Sequence, residues 1–354
     1  MRRLWSVLVL TGLVVGALWL IIGGHRQPEP HRSAPPPAPL PATSRRLPPA
    51  ALPPESLPEG AVASDVPPYP RPARSLLEAQ IALDRQGISP GSLDGLPGAQ
   101  TRLAILAFQQ KLNLPPTGLP DAETRKHLLL VVAPLSDYDV TSNDLARLQP
   151  LGKTWTAKSQ QSALEYETVL ELVAEKSHSH PACIRGLNPN ADWTNLVVGT
   201  TLQIPAVASA GPPSKAAFIR ICIGSKALEA FDEETNLLLH FPCSIAQRVE
   251  KRPVGVLHIE TVAPRPNYTF DPELFPESPE SQQKEGKLVL PPGPNNPVGT
   301  VWIGLDRTGY GIHGTPNPEQ VGRTESHGCF RLANWNVERL LGFCWIGMPV
   351  YVEP

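Results

Sequence analysis

Two short segments near the carboxyl end of the chain hold the residue types that thiol chemistry requires. Residues 312–315 read Ile-His-Gly-Thr, residues 326–332 read Ser-His-Gly-Cys-Phe-Arg-Leu, and His313 lies sixteen positions before Cys329. A thiol is a poor nucleophile at neutral pH until a base or a positive charge makes it a thiolate, so a cysteine within reach of a histidine is the minimum set for cysteine acyl transfer. A lone cysteine is more often a small buried hydrophobe, but this combination favours a catalytic site.

The two segments resemble the L,D-transpeptidase catalytic domain, the YkuD-like family of peptidoglycan enzymes. The family pattern is His-Gly followed by Ser-His-Gly-Cys. The resemblance covers roughly Ala216 to Glu353. Further matches are Pro-Val-Gly at 253–255, the Pro- and Asn-rich run at 291–299, Trp-Ile-Gly-Leu at 302–305 and Gly-Met-Pro-Val-Tyr-Val at 347–352.

The resemblance assigns roles to individual residues. It implies that Cys329 is the nucleophile and His313 the general base, with the carbonyl of Gly314 orienting the second ring nitrogen of the histidine. The backbone N–H groups of Gly328 and Cys329 would stabilise the oxyanion. Two interpretations remain open for Arg331: it binds a carboxylate of the stem peptide through its planar fork of donors, or it braces the nucleophile loop.

Neighbouring residues are expected to support the site. His327 either binds or orients groups near the cleft, with Ser326 as a further candidate for substrate binding, or it is a structural histidine, and the structural role is preferred for His327. Ser326 and Asn334 are expected to fix the loop conformation. No metal is expected, because the histidines and cysteines lack the spacing of a tetrahedral site and a thiolate ligand could not also be the nucleophile. No cofactor is implied.

The resemblance implies a two-step reaction on peptidoglycan stem peptides. The thiol attacks the bond between the L-centre of a third-position diamino acid and D-Ala, which leaves a thioester, and an amine from a neighbouring stem then forms a 3-3 cross-link. With water as acceptor the enzyme would be an L,D-carboxypeptidase, and with a protein amine it would be an anchoring enzyme. A cysteine peptidase that cleaves cross-links and a non-catalytic wall-binding protein are competing hypotheses.

The amino terminus suggests a membrane attachment. The chain has 354 residues and a net charge of −2, with no basic run that would favour nucleic acid. Arg2 and Arg3 precede an uncharged stretch from Leu4 to Gly24, which is long enough for a membrane-spanning helix of about 20 residues. Residues 1–27 are therefore predicted to be an uncleaved, single-pass signal anchor in the cell inner membrane, with the catalytic domain in the periplasm; a cleaved signal peptide is the alternative. A monomer is the default expectation.

Residues 28–72 contain sixteen prolines in forty-five positions. Such a composition favours extended polyproline II structure, which acts as a semi-rigid spacer. A spacer would let a tethered enzyme reach a layer away from its membrane. A merely tolerated, disordered linker is the alternative.

Residues 73–132 show helical periodicity interrupted by Gly-containing turns, and they resemble the three-helix peptidoglycan-binding domain of wall hydrolases. A helical spacer bundle without a ligand is the alternative, since several matching residues are expected in the core. Thr101 and Thr124 are expected to begin helices or to lie in their first turns. The matches are Asp94-Gly95, Thr101, Phe108-Gln109, Thr117-Gly118 and Thr124.

Residues 153–207 are predicted to form a second accessory unit. Ser162 and Glu165 have the spacing of a capping box before a helix that runs through Glu175. The second half of the unit resembles a LysM domain, a small glycan-binding βααβ module. The usual opening Gly-Asp-Thr-Leu is missing, so glycan binding by this unit stays open.

Residues 215–354 read as a mainly β catalytic domain, and the resemblance implies a β-sandwich. Three short apolar runs, 218–223, 227–231 and 237–242, predict a meander. The predicted architecture is therefore multidomain: a small helical bundle, a small α+β LysM-like module and the β catalytic domain. Further strands are predicted at 256–262, 301–305 and 349–352, a helix at 335–341, and a loop near the cleft or a surface insertion at 264–288.

The five cysteines are too few for a disulfide scaffold, and their odd number leaves at least one unpaired. Cys222 and Cys243 lie in neighbouring apolar segments, where they would either pair or remain buried free thiols. Cys329 is the cysteine that the motif requires to be free.

Overall fold

Several ranges of the chain have a described structure, and the predicted anchor at 1–27 lies outside them. So does the proposed spacer, apart from its last four residues. Within the described ranges, no helix combines the length and the apolar character needed to cross a membrane. The computed structural model describes residues 69–207, 215–274, 278–282, 286–323 and 328–354.

Residues 69–132, the helical domain, begin and end in a short pair of strands. Ser75 and Asp121 cap two of its helices, accepting hydrogen bonds from the backbone N–H groups of Glu78 and Thr124. The largest side chain in its core is Phe108, which is fully buried. The elements are β1 (Arg71–Pro72), α1 (Leu76–Arg85), α2 (Ala99–Lys111), α3 (Ala122–His127) and β2 (Leu129–Leu130).

The residues that resemble a peptidoglycan-binding domain form two similar hydrogen-bond clusters inside this domain. In the second, the buried Gln109 side chain donates to the hydroxyls of Thr117 and Thr124, each at 2.8 Å, and accepts from the N–H of Gly118. In the first cluster, the buried Gln80 side chain donates to the Asp94 carboxylate and the Thr101 hydroxyl, and it accepts from the N–H of Gly95. The matching residues therefore hold each turn against the helix before it.

Residues 135–207, the accessory module, contain two antiparallel strands, β3 and β4, whose register pairs Leu135 with Pro205. The strand β3 lies outside the boundaries that the sequence suggested for this unit. Helices α6 and α7 pack against each other and share a core that includes Leu172, Ile184 and Leu202. The elements are β3 (Leu135–Asp139), α4 (Ser142–Ala146), α5 (Trp155–Ser159), α6 (Val169–Lys176), α7 (Pro181–Leu187) and β4 (Thr201–Pro205).

The predicted capping box at Ser162 and Glu165 is wrong. Helix α6 begins after Thr168, whose hydroxyl accepts from the N–H of Glu171 at 3.1 Å. Glu165 instead forms an ion pair with Arg147 at 2.7 Å. Thr168, with Glu171 three residues later, has the same spacing immediately before the helix, and the cap lies there rather than at Ser162.

Residues 215–354, the carboxyl-terminal domain, are β-rich as predicted, and the meander of three strands is present. Eight strands form a single hydrogen-bonded sheet in the order β13-β12-β11-β8-β14-β5-β6-β7, rather than the two sheets of a sandwich, while β9 and β10 pair only with each other. The elements are β5 (Phe218–Cys222), β6 (Ala227–Phe231), β7 (Leu237–Pro242), β8 (Gly255–Pro264), β9 (Tyr268–Phe270), α8 (Pro279–Gln282), β10 (Leu288–Leu290), β11 (Val301–Leu305), β12 (Gly311–His313), β13 (Phe330–Arg331), α9 (Asn334–Phe343) and β14 (Pro349–Glu353).

The eight-stranded sheet curls so that β13, at one edge, pairs with the segment that follows β7, at the other edge. Ser244, two residues beyond β7, exchanges two backbone hydrogen bonds with Arg331 on β13, at 2.9 and 3.0 Å. The closed sheet surrounds a hydrophobic core that includes Ile303, Ile312 and Phe330. Closure leaves fewer unpaired backbone groups at the sheet edges.

The hairpin formed by β9 and β10 packs on the accessory module. The ring of Phe270 stacks on Trp155, with centroids 4.5 Å apart, and shares a small core with Leu164 and Leu290. The strand β9 lies within the 264–288 segment that was predicted to be a loop near the cleft or a surface insertion.

Backbone contacts join the three regions to one another. Ile88 of the helical domain forms a parallel bridge with His240 on β7, with hydrogen bonds of 2.8 and 2.9 Å on either side. Leu93 bridges in the same way to Ser179 of the accessory module. All five cysteines lie in described residues; Cys183, Cys222, Cys243 and Cys344 form no disulfide there, and Cys243 and Cys344 are buried.

Candidate active site

His313 ends the short strand β12, between β11 and β13. Its register partner on β11 is Trp302, and the two rings stack with centroids 5.6 Å apart and planes 19° from parallel. Only 6% of His313 is exposed. The imidazole is therefore held in a defined plane before any substrate arrives.

Cys329 immediately precedes β13, which runs parallel to β12. The register pairs Ile312 with Phe330 and His313 with Arg331. Ile312 and Phe330 both point into the hydrophobic core, and side chains alternate between the two faces of a sheet. His313 and Arg331 therefore lie on the opposite face, and Cys329 extends from the start of β13 towards that face.

The hydrogen bonds of His313 define its tautomer. Its Nδ1 lies 2.6 Å from the carbonyl oxygen of Gly314, and because a carbonyl only accepts, Nδ1 carries the hydrogen. The neutral ring then has its lone pair on Nε2, the atom that can accept a proton. The contact to Gly314 is the one that the sequence resemblance implies.

Burial and nearby groups set the protonation of the two side chains. Burial lowers the pKa of His313 to about 4; the hydrogen bond to Gly314 acts in the opposite direction, and the charge of Arg331 adds to the lowering. Burial also raises the pKa of Cys329, against opposing effects from the backbone of Gly311 and from Arg331. At neutral pH the Cys329 thiol and the His313 imidazole are therefore both uncharged.

Arg331 lies next to both side chains and is tied down by its backbone hydrogen bonds with Ser244. Its side chain is partly exposed, and burial lowers its pKa while Cys243 and Cys329 raise it. The guanidinium thus brings the positive charge at this face of the sheet close to the Cys329 sulfur.

Asn334, at the start of α9, connects the strands around the site. Its Oδ1 accepts from the backbone N–H groups of Thr300 and Thr315, at 3.2 and 3.1 Å. A Cβ added to Gly314 or Gly299 would overlap this same oxygen, so both positions have no room for a side chain. The loop-fixing role predicted for Asn334 has a direct structural basis in these contacts.

The remaining predicted site residues have mixed outcomes. Gly328 is described and lies beside Cys329, whose sulfur is 3.4 Å from the carbonyl oxygen of Gly309. Ser326 and His327 lie outside the described residues, so the predictions for them stay as predictions. Within the described part of the chain, no three His, Cys, Asp or Glu side chains are grouped to hold a metal ion.

Comparison with known proteins gives this site its family. Residues 218–352 match the family model of the YkuD-type L,D-transpeptidase catalytic domain. These residues form an L,D-transpeptidase catalytic domain. Residues 74–128, which precede this L,D-transpeptidase domain, match the model of a peptidoglycan-binding domain.

Individual relatives extend the match. The chain is 23% identical over 188 residues to L,D-transpeptidase YkuD of Bacillus licheniformis. This alignment covers 53% of this chain and 94% of that protein. It is 30% identical over 128 residues to an L,D-transpeptidase of Fuscovulum blasticum, covering 36% and 65%. A solved L,D-transpeptidase structure from Mycobacterium smegmatis aligns with this chain at 17% identity and a TM-score of 0.31. The alignment covers 45% of this chain and 65% of that one.

Proposed function

We propose that this protein is a peptidoglycan L,D-transpeptidase that forms 3-3 cross-links through a thioester on Cys329. The observation that carries the proposal is the orientation of His313, whose Nδ1 donates to the carbonyl of Gly314 and leaves Nε2 free of hydrogen on the Cys329 face of the sheet. A base with this tautomer can take the proton of a neighbouring thiol.

Acylation starts from the uncharged pair. The Sγ of Cys329 attacks the carbonyl carbon of the L-centre of the diamino acid while its proton moves to Nε2 of His313. The N–H groups of Gly328 and Cys329 stabilise the oxyanion. When the C–N bond breaks, the imidazolium returns the proton to the departing amine, and D-Ala leaves with a thioester remaining on Cys329.

The second step regenerates the thiol. An amine of a neighbouring stem attacks the thioester carbonyl, gives up its proton through His313, and forms an amide while the sulfur departs and is reprotonated. Water at the same position would give L,D-carboxypeptidation, and a protein amine would give anchoring of that protein to the wall. Arg331 is suited to bind a stem-peptide carboxylate or to brace the nucleophile loop.

The helical domain, the accessory module and residues 1–27 are proposed to bring the catalytic domain to the cell wall. The helical domain is proposed to bind peptidoglycan, in keeping with its family match. The accessory module is proposed to be a LysM-like unit, since β3 and β4 pair with each other and share a core with α6 and α7, while α4 and α5 are additional to the βααβ order. The apolar segment at 1–27 is proposed to tether the enzyme to the inner membrane, with the described domains in the periplasm.

The test compares full-length protein in detergent with its Cys329→Ala variant, each incubated with disaccharide tetrapeptide. Mass spectrometry should show an acyl-enzyme and dimers lacking one D-Ala, both absent from the variant. Cys222→Ala, which removes another partly exposed thiol, should leave both intact. Tripeptide alone would support carboxypeptidation instead, and no adduct with no product would favour a non-catalytic wall-binding protein.

A further inference from the structure

A carboxylate of the accessory module reaches the catalytic domain at the start of α9. Glu175, in the last turn of α6, accepts from the Asn334 amide nitrogen with both carboxylate oxygens, each at 3.1 Å. The hydroxyl of Tyr166 donates to the same carboxyl group at 3.1 Å. These contacts join residues 159 positions apart in the sequence.

The contacts of Asn334 divide by hydrogen-bond role. Its Nδ2 faces only acceptors, the carboxylate of Glu175 and the carbonyl of Pro294 at 3.1 Å. Its Oδ1 faces only donors, the N–H groups of Thr300 and Thr315. A flipped amide would oppose its oxygen to the Pro294 carbonyl and its nitrogen to two N–H groups, so these backbone contacts, together with an accepting oxygen of Glu175, select one orientation of this side chain.

The selected orientation bears on His313. Thr315, whose N–H is held by Asn334, lies two residues after His313. Gly314, between them, supplies the carbonyl that holds Nδ1. Movement of Thr315 would therefore move the acceptor that fixes the tautomer and plane of the imidazole.

We propose that Glu175 is a positioning residue for the proposed acylation, acting from the accessory module through Asn334 on the backbone that orients His313. The inference rests on the proposed function of Cys329 and His313. It makes the accessory module part of the catalytic machinery, in addition to any role in binding the wall.

The surroundings of Glu175 contain other charged groups from each element packed against it. Burial raises the pKa of Glu175 most, to about 8; the hydrogen bonds from Asn334 and Tyr166 lower it, and the charges of Glu338 on α9 and Glu171 on α6 raise it further. Arg147, after α4, stacks over the Tyr166 ring and pairs with Glu165. Farther along the same junction, His178 pairs with Asp84 of the helical domain at 2.9 Å.

The experiment measures the rate at which full-length protein is acylated at Cys329 by a carbapenem, followed by intact mass spectrometry. Glu175→Ala should slow acylation by roughly tenfold or more, because small misplacements of catalytic groups are costly. Glu175→Gln, which retains one acceptor for Asn334, should recover part of the rate. The double variant Glu175→Ala with Asn334→Ala should be no slower than Asn334→Ala alone.

A matched control separates positioning from stability. Asp192→Ala removes hydrogen bonds to Thr194 in an exposed turn of the same module, contacts that include neither Asn334 nor Tyr166, and it should leave the acylation rate within about twofold. Hydrogen exchange at residues 313–315 should speed up in Glu175→Ala and not in the control. If Glu175→Ala does not fold, Glu175→Gln and Asn334→Ala carry the comparison.

The possible failures are distinguishable. Wild-type protein without a carbapenem adduct would overturn the proposed function and this inference with it. An adduct formed at equal rates by wild type and the Glu175 variants would overturn this inference alone. Fully additive losses in the double variant would also overturn it, because they would show that Glu175 does not act through Asn334.

Discussion

His313 and Arg331 are register partners on the parallel strands β12 and β13, so a fixed positive charge lies beside the proposed base. Burial is the largest cause of the lowered pKa of His313 and of the raised pKa of Cys329, and the charge of Arg331 lowers both pKa values. The guanidinium thus adds to the effect that keeps the imidazole unprotonated, and it favours the thiolate that forms during attack.

Replacement of Arg331 by Gln should therefore shift both titrations upward. The expected result is a higher pH for the acid limb of carbapenem acylation and a slower alkylation of Cys329 at any pH below its pKa. The measurement is the pH dependence of both reactions. Arg220→Gln, which removes a partly exposed guanidinium paired with Glu229, is the control, and identical profiles for the Arg331 variant and wild type would contradict the prediction.

The wild-type pH profile should reflect an uncharged resting pair. Because the pKa of His313 is lowered to about 4, the base is unprotonated above that pH, and carbapenem acylation should persist to about pH 5. Because the pKa of Cys329 is raised, its alkylation by iodoacetamide should still be rising at pH 9. An alkylation rate that levels off below pH 7 would instead indicate a resting thiolate.

Gly314→Ala tests the close packing around Asn334. The added Cβ would overlap Asn334 Oδ1, so the variant should lose about 1–3 kcal/mol of unfolding free energy and most of its acylation rate. Gly186→Ala on α7 is the matched control, since its Cβ would meet nothing within 4 Å and a helical alanine should stabilise by roughly 0.5–1 kcal/mol. Equal stability of the two variants, measured by denaturation, would argue against this packing.

Glu175→Gln should change how stability depends on pH. The folded pKa of about 8 exceeds the ordinary 4.5, so between these values the folded protein holds a proton that the unfolded chain has released. Wild-type unfolding free energy from this group should therefore fall as pH rises from about 4.5 to about 8, at about 1.4 kcal/mol for each pKa unit. The variant should lack this decline, as judged by denaturant unfolding at pH 5 and 8.5.

The exposed Glu123 provides the comparison for that experiment. Lys126 lowers the pKa of Glu123, so Glu123 does not titrate between pH 4.5 and 8 in the folded protein. The Glu123→Gln variant should therefore keep the wild-type fall in unfolding free energy over this range. If Glu175→Gln and wild type show the same difference in stability between pH 5 and pH 8.5, Glu175 is charged throughout that range, contrary to the prediction.

Local pattern was enough to predict much of the catalytic domain. The strands β5 to β7 and the helix α9 follow from short apolar runs, and the motif around His313 and Cys329 led to the L,D-transpeptidase match. In the helical domain, Thr101 and Thr124 lie in first turns of helices, as expected. These features depend on neighbours a few residues apart, where propensity and spacing are informative.

Contacts between distant segments could not be predicted in this way. Nothing near Glu175 in the sequence indicates that Asn334 would be its partner, and nothing near Ser244 indicates that it closes the sheet on Arg331. The ion pair between Glu165 and Arg147 likewise has no local signal in the sequence. Such pairings emerge only when the whole chain is packed.

The bridge between Ile88 and His240 has a consequence for how the protein loses its structure. Because the helical domain continues the backbone pairing of β7, and Leu93 continues it to Ser179, separation of the regions must break backbone hydrogen bonds as well as side-chain contacts. The three regions should therefore melt in one cooperative transition. Exchange of one of the three regions for an unrelated wall-binding domain would therefore disrupt the enzyme, whereas domains joined only by flexible linkers can be exchanged independently.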